Sequence, residues 1–397
     1  MTPESFVSVF YYFMADNGSP GGLAARIWHC WYTQDILVLG LLFIVFLGWK
    51  NIAGNAQWRR AFAAMFRRRG VRISAAILSM YALIGVADSV GYHPYLRDDA
   101  GDVRRDPATG TALIDAGGLS LFDVLFTGLR NIQEKTYSKP FGTRLLNKEL
   151  VSRPDGTLAR ERPGLRYPGL HVLGTNKVGN DVLYVSLKSI RTGLIIGLFT
   201  TLVVIPIAML MGILAGYSGG WIDDIIQFTY TVLASIPSIL LIVAFMSLFE
   251  KPGLFHLCFV LGIISWTGLC RVLRGETMKL RETEYVQAAR AIGVSRLRIM
   301  WSHLAPNVTH LALITAVLGF SGRVLSETVL TYLGVGVGPD TYSWGSMINL
   351  ALGELSRDPE IWWNLAAAFV FMLGLVLPAN IFGDAMRDAL DPRLRTE

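Results

Sequence analysis

Apolar runs of about 18 to 25 residues alternate with charged stretches along this chain, a pattern that leaves few folds open. A helix rises about 1.5 Å per residue, so roughly 20 apolar residues cross a bilayer's hydrocarbon core. The candidate spans are residues 36–49, 71–90, 193–217, 225–249, 254–273, 308–333 and 362–382. The first is short and fits a span or an interfacial helix, and residues 6–14 are shorter still, fitting an amphipathic or re-entrant piece. Of the 397 residues, 52% are hydrophobic and only 17% charged, with mean hydropathy +0.43, which an ordinary soluble domain rarely reaches. The expectation is an all-α polytopic membrane protein with about seven transmembrane helices.

A net charge of +6 suggests a nucleic-acid partner until its distribution is read. Arg59, Arg60, Arg67, Arg68, Arg69 and Arg72 stand directly before a span with no acid among them. At a membrane boundary that is a topology signal, so no nucleic acid is expected and the cluster is placed on the cytoplasmic side. The span 71–90 then runs outward and residues 92–192 form a long external segment. A second cluster (Arg271, Arg274, Lys279, Arg281, Arg290, Arg296, Arg298) and a third (Arg387, Arg393, Arg395) then fall in a cytoplasmic loop and a cytoplasmic C-terminus, agreeing with the first. The N-terminus lies outside if 36–49 spans. The first 30 residues carry acids and a Gly-Ser-Pro-Gly-Gly stretch, with neither the basic start nor the cleavage site of a signal peptide. Cys30, Cys258 and Cys270 form no CxxC pair and read as buried small hydrophobes.

Four regions follow: an N-terminal extension with an added helix (1–56), a basic segment and first core helix (57–91), the external segment (92–192) and the remaining core (193–397). The external segment is rich in Asp, Arg and Gly over 97–117, with turn signals at Asp106-Pro107 and Gly117-Gly118. Residues 119–132 predict a short amphipathic helix, followed by a Pro- and Arg-rich stretch up to Pro168 that fits an ordered cap or a long loop. There is no evident internal repeat.

The stretch from Glu284 to Asn307 differs from an ordinary interhelical loop. Residues 284–292 are good helix formers. Gly293 suits the left-handed turn that ends a helix, Ser295 caps a second helix, and Pro306 breaks it. The small residues Ala288, Ala289 and Ala291 allow another surface to approach closely.

This stretch resembles the coupling-helix motif of ATP-binding-cassette importer permeases: Glu-Ala-Ala, a Gly four residues beyond, and a later Leu-Pro. Ala288, Ala289 and Gly293 match, while Gln287 holds the acidic position and Ala305 precedes Pro306. The resemblance covers residues 57–397 and is closest to the C-type permease subunit of the dipeptide/oligopeptide/nickel branch. His171-Val-Leu-Gly174-Thr-Asn-Lys-Val-Gly179-Asn-Asp181 is similar to that branch's external His-x-Leu-Gly-Thr-Asp-x-x-Gly-Arg-Asp element, with Asn176 and Asn180 in place of Asp and Arg. Gly216 to Asp223 matches a short cytoplasmic turn and Ser235-Ile-Pro237 the next helix, although Phe228 and Thr231 replace the usual Arg and Asp. Tyr332-Leu-Gly334-Val-Gly336 and Ser343-Trp344-Gly345 match the last external loop, and Gly383 to Arg393 the C-terminal signature.

The resemblance implies a six-helix importer permease core plus one N-terminal helix, in a bacterial inner membrane. Its implied partners are a second homologous permease, two ATP-binding-cassette ATPase subunits and a periplasmic substrate-binding protein. Coupling to the ATPase falls to Tyr285, Val286, Gln287, Ala288, Ala289, Gly293 and Pro306, and binding-protein docking to Gly179, Asp181, Trp344 and Gly345. The neutral Gln287 makes that coupling steric and hydrogen-bonded rather than ionic. The implied cargo is a peptide or similar small solute, a nickel chelate and a modified peptide fitting equally.

Gly174 to Gly179 fits the first half of a phosphate loop, but Asn180-Asp181 stand where Lys-Ser/Thr is required, so the segment reads as a turn. Without a Walker loop the chain is expected to be no enzyme and to hold no cofactor of its own, ATP and Mg being bound by partner subunits. Arg323 and Glu327, at i and i+4 within 308–333, share a helix face and can pair; they fit an intramembrane pair on the translocation path or two groups reaching interfacial water. Six histidines show no metal spacing. The rival readings are a secondary transporter driven by an ion gradient, which would predict inverted repeats, and a membrane-embedded enzyme, which would need a convergent set of acid, base or metal ligands.

Overall fold

A computed structural model of the chain describes residues 56–92, 103, 105, 119–152, 158–250, 252–338 and 341–390. The expectations for residues 6–14 and 36–49, Cys30, most of 97–117, Arg393 and Arg395 lie outside the described residues. Helix α1 (Ala56–Met65) precedes α2 (Arg69–Ser89), the first helix long and apolar enough to cross a membrane. The chain divides into two compact units, and the division falls within α2.

The smaller unit holds described residues 56, 83–92, 103, 105 and 119–130. Strands β1 (Gly91–Tyr92) and β2 (Leu119–Ser120) pair antiparallel and lead into helices α3 (Leu121–Leu125) and α4 (Thr127–Asn131). The predicted amphipathic helix is therefore two short ones. Ser120 starts α3 with a capping box: its hydroxyl accepts the Asp123 N–H at 3.1 Å while the Asp123 carboxylate accepts the Ser120 N–H at 3.1 Å.

In the larger unit, residues 131–152 and 158–181 form loops and an antiparallel pair of strands, β3 (Glu149–Ser152) and β4 (Leu158–Glu161), followed by the membrane helices. Helix α5 (Val182–Ser218) begins well before the expected 193 because Asp181 caps it, its carboxylate accepting the Leu183 and Tyr184 N–H groups at 2.9 and 3.1 Å. At 37 residues it is about 55 Å long, well beyond a bilayer's hydrocarbon core. The expected span 225–249 is instead two helices, α6 (Gly220–Ser235) and α7 (Ser238–Met246), bent by 90°. Pro237 lies at the break, lacking an N–H and disfavouring helix for Ile236, which is extended.

Helix α8 (Leu254–Arg281) continues past its apolar run, so Arg271, Arg274, Lys279 and Arg281 stand on a helix and not in a loop. It packs most extensively on α5. Contact is close because Gly212 and Gly216 face it: a Cβ at Gly216 would sit 2.6 Å from the Arg274 carbonyl oxygen. Helix α9 (Glu284–Ala291) follows, then α10 (Arg296–Tyr332), the short α11 (Trp344–Leu352) and α12 (Trp363–Leu390). The C-terminal signature up to Leu390 is thus helical.

Pro306 does not break the second helix from the next span, contrary to expectation. Residues Ile299–Leu304 form a π turn, and the Ala305 N–H reaches Met300 O five residues back. The wider turn relieves the clash between the proline ring and the carbonyl four residues earlier, so α10 runs on. Among the described residues five helices are long and apolar enough to span, or six with the bent pair as one, in the all-α polytopic architecture expected.

Candidate functional site

Two turns with the same backbone geometry mark opposite ends of α10. At Gly293 (φ +81°) the Val294 N–H bonds Ala289 O and the Gly293 N–H bonds Arg290 O, both at 3.0 Å. At Gly334 (φ +80°) Val335 bonds Leu330 O at 2.9 Å and Gly334 bonds Thr331 O at 3.0 Å. Both are Schellman closures, in which a left-handed residue satisfies the last helix carbonyls.

At the Gly293 end, Val286 and Ala289 of α9 are buried in a core cluster with Tyr217, Leu273 and Ile299. Their i, i+3 spacing gives α9 one inward stripe, leaving Tyr285, Gln287 and Ala288 exposed. The Asn307 amide donates to Tyr285 Oη at 3.2 Å and to His303 O at 2.6 Å, clasping α10 to α9. Gln287 Nε2 donates to Glu282 O at 3.1 Å within its own chain. Ser295 takes the N-cap position but makes no side-chain cap bond. Around the turn Ile292 is 80% exposed, Leu297 66% and Trp301 51%. Pro306 is exposed beside them.

Two arginine contacts here went unread in the sequence. Arg274 of α8 grips Asp223 of α6 through two parallel bonds, Nε to Oδ1 at 2.5 Å and Nη2 to Oδ2 at 2.7 Å. Arg290 of α9 lies 4.8 Å from the ring centre of buried Tyr217, at the end of α5. Each residue was visible in a basic or turn motif, but pairing across 51 or 73 positions leaves no local signal.

At the Gly334 end the chain folds back onto itself. Ser343 caps α11 by accepting the Ser346 N–H at 3.0 Å, and buried Trp344 donates to Ser186 O at 3.2 Å. Gly345 lies against α10, where a Cβ would sit 2.9 Å from Thr328 O. Asn349 donates to Tyr332 O at 2.6 Å. Thr331 donates to Glu327 Oε1 at 2.8 Å and accepts the Val337 N–H at 3.1 Å, while Thr328 reaches the other carboxylate oxygen at 3.4 Å. Glu327 is therefore held by hydroxyls at 1% exposure.

Arg323 does not pair with Glu327. Its Nη1 donates to Thr201 Oγ1 on α5 at 2.9 Å and to Ala316 O at 3.2 Å. The side chain folds back towards its helix's start and the carboxylate engages the helix's end, so i, i+4 proximity is not used.

The loop leading to α5 is built on buried polar groups. His171 Nδ1 and Asp181 Oδ2 lie 2.9 Å apart, and the Glu134 carboxylate accepts the Arg166 and Tyr167 N–H groups at 3.0 and 2.7 Å. Burial, with Glu354 beside it, pushes the Tyr137 phenol above its ordinary range. The Gly174–Gly179 stretch is a turn closed by the Asn176 side chain, which accepts the Val178 and Asn180 N–H groups at 3.0 Å. Trp363 donates to Thr175 O at 3.1 Å, pinning this turn to the start of α12. Gly179 packs directly on the Glu134 carbonyl. Of the four residues implied in docking, Asp181, Trp344 and Gly345 are themselves buried, as is Gly179, so none presents a side chain for an outside partner to grip. Cys258 and Cys270 are buried free thiols, and no cluster of metal-ligating groups occurs among the described residues.

Comparison with known proteins gives one consistent result. Residues 208–396 match the family described as "Binding-protein-dependent transport system inner membrane component". The oligopeptide transport system permease protein OppC of Mycobacterium tuberculosis (strain ATCC 25618 / H37Rv) is 37% identical over 234 residues, covering 58% of this chain and 79% of that one. OppC of Bacillus subtilis (strain 168) is 31% identical over 225 residues, covering 57% and 72%. The di/tripeptide transport system permease protein DppC of Pseudomonas aeruginosa (strain UCBPP-PA14) is 33% identical over 224 residues, covering 56% and 73%.

Proposed function

This chain belongs to the family of binding-protein-dependent transport system inner membrane components, as a permease subunit of an ATP-driven importer, and from that premise we propose that it moves short peptides. It is a multi-pass integral membrane protein and not an ion-gradient-driven transporter. In our reading it sits in a bacterial inner membrane with the Gly293 turn and the C-terminus cytoplasmic. A second permease completes the translocation path, two ATPase subunits bind ATP and Mg, and a periplasmic binding protein delivers cargo. The chain holds no Walker loop, Asn180-Asp181 standing where Lys-Ser/Thr would be needed, and it leaves hydrolysis to those subunits.

The observation that carries this reading is the Gly293 turn. Val286 and Ala289 fasten α9 to the bundle, while Ile292, Leu297 and Trp301 project apolar surface away from it. An apolar protrusion held on a rigid base suits a groove in another protein. Tyr285, Gln287, Ala288, Gly293 and Pro306 supply its remaining surface and shape. Closure of the ATPase pair would push α9, and the Arg290–Tyr217 and Arg274–Asp223 contacts would pass that push to α5, α6 and α8. At the other end Gly179, Asp181, Trp344 and Gly345 hold the surface that a binding protein meets, without touching it themselves. In this reading the four regions expected from the sequence remain a proposal, with residues 131–181 taken as a cap around the entry to α5.

The test is to purify the complex from its own membranes and follow peptide uptake. We expect ATPase subunits and a second permease to co-purify, and uptake to stop on ATP depletion while persisting when the ion gradient is collapsed. Uptake that survives ATP depletion with no ATPase in the complex overturns the reading.

A further inference from the structure

Arg323 is only 9% exposed, in a helix long and apolar enough to cross the bilayer. A guanidinium cannot shed its proton there, so its charge needs an answering anion. No carboxylate supplies one among the described residues: Arg323 enters no ion pair, and nearby Glu327 is committed to Thr331 and Thr328. Both of its hydrogen bonds run from Nη1 to neutral acceptors, Thr201 Oγ1 and Ala316 O. Its Nε is buried with no partner. The guanidinium lies over Gly319, where a Cβ would come within 3.0 Å of both Nη atoms. One turn further along the same face, Gly322 has nothing within 4 Å of where its Cβ would be. A cation parked on two neutral groups thus fills the space left by Gly319, while the adjoining Gly322 leaves its own Cβ position open.

Resting on the importer reading above, we propose that Arg323 is an intramembrane binding site for the terminal carboxylate of the peptide cargo. Every unmodified peptide brings a free carboxylate, and the planar fork of a guanidinium matches it. The parked position explains how the charge is tolerated between cargoes. Transfer of one donor from Ala316 O to the carboxylate would cost little, so the site can hold cargo briefly and release it, as a conducting path requires. A fixed acidic partner on the second permease would instead make a permanent pair with no need of the Thr201 and Ala316 bonds.

The experiment uses the whole importer in its own membrane, with two labelled tripeptides that differ only in a free or amidated C-terminus. In Arg323→Gln we expect uptake of the free-acid peptide to fall about tenfold relative to wild type, while uptake of the amide changes less than about twofold. Arg323→Lys, which keeps the charge, is expected to recover part of the loss. A free-acid tripeptide with a photoreactive benzophenone next to its carboxylate should label α5 near Thr201 or α10 near Gly322. That labelling should vanish in Arg323→Gln, and this readout holds whether or not the amide is carried.

Equal loss of both peptides, or labelling confined to other regions, overturns the proposal. So does failure of the second permease to co-purify with Arg323→Gln, which would assign Arg323 to an ion pair between permeases. Unchanged free-acid uptake overturns this inference alone. Absence of tripeptide uptake and labelling in wild type overturns the peptide reading and this inference with it.

Discussion

The turns at Gly293 and Gly334 share a backbone and differ in what the chain beyond them packs on. A Cβ at either glycine would meet nothing within 4 Å. Beyond the Gly334 turn, however, the chain returns through α11, and Trp344, Gly345, Asn349 and Glu327 all find partners within the molecule. Beyond the Gly293 turn α10 returns to α9 through the Asn307–Tyr285 bond and buried Ile299 and Leu304, yet Ile292, Leu297 and Trp301 stay exposed. Tyr332, Leu333 and Leu350 are exposed at the Gly334 end as well, so the turns differ in what the following chain packs on: the separate helix α11 at one, α9 itself at the other. The motif stops a helix, while the residues flanking it decide whether the stop becomes packing or an interface.

That contrast can be broken at either end. The largest effect is expected at the closed end. Gly345→Leu would drive a side chain into Thr328 and Thr331 and cost about 3 kcal/mol, so little intact protein should be recovered from the membrane. Normal recovery and thermal stability would show that α11 is not packed as described. At the open end Trp301→Ala should leave membrane levels unchanged but cost about 2 kcal/mol in holding the ATPase, read as its loss from the purified complex at low concentration. Full retention would remove Trp301 from the interface.

Gly293→Val sharpens the comparison because it strains the turn without filling any space. A β-branched residue at φ +81° costs roughly 1–2 kcal/mol. The complex should remain in the membrane and hydrolyse ATP, with uptake down about tenfold. Unchanged uptake would sink the coupling role of the turn. The smallest effect belongs to Gln287→Ala, which deletes one exposed hydrogen bond to Glu282 O and costs about 0.5 kcal/mol. A large loss of ATPase binding there would mean that Gln287 leaves its own chain to bond the partner.

Much of the fold was legible because the bilayer imposes a length and the chain must obey it. The span expected at 71–90 is observed at Arg69–Ser89, and the turn at Gly293 falls where the sequence placed it. Helix ends were less legible wherever a helix leaves hydrocarbon. Asp181 starts α5 early, and α8 carries its arginines on helical backbone, because caps and packing set those ends and hydropathy does not. The nine-residue α11 is too short to stand out as a long apolar run, although Ser343 and Ser346 spell a short capping pattern.

What the sequence determined by itself is therefore the class of the molecule and the positions of its punctuation. Twenty-residue apolar periods, arginine clusters, Gly293 and Pro237 act locally, through burial length, charge at a boundary and backbone angles. Tertiary structure alone decided which groups meet. Arg323 shares a turn with Glu327 and still bonds Thr201, 122 positions away, while Pro306 passes through a helix that widens to accept it. Those outcomes depend on which neighbour lies within 3 Å after packing, and spacing along the chain does not carry that distance.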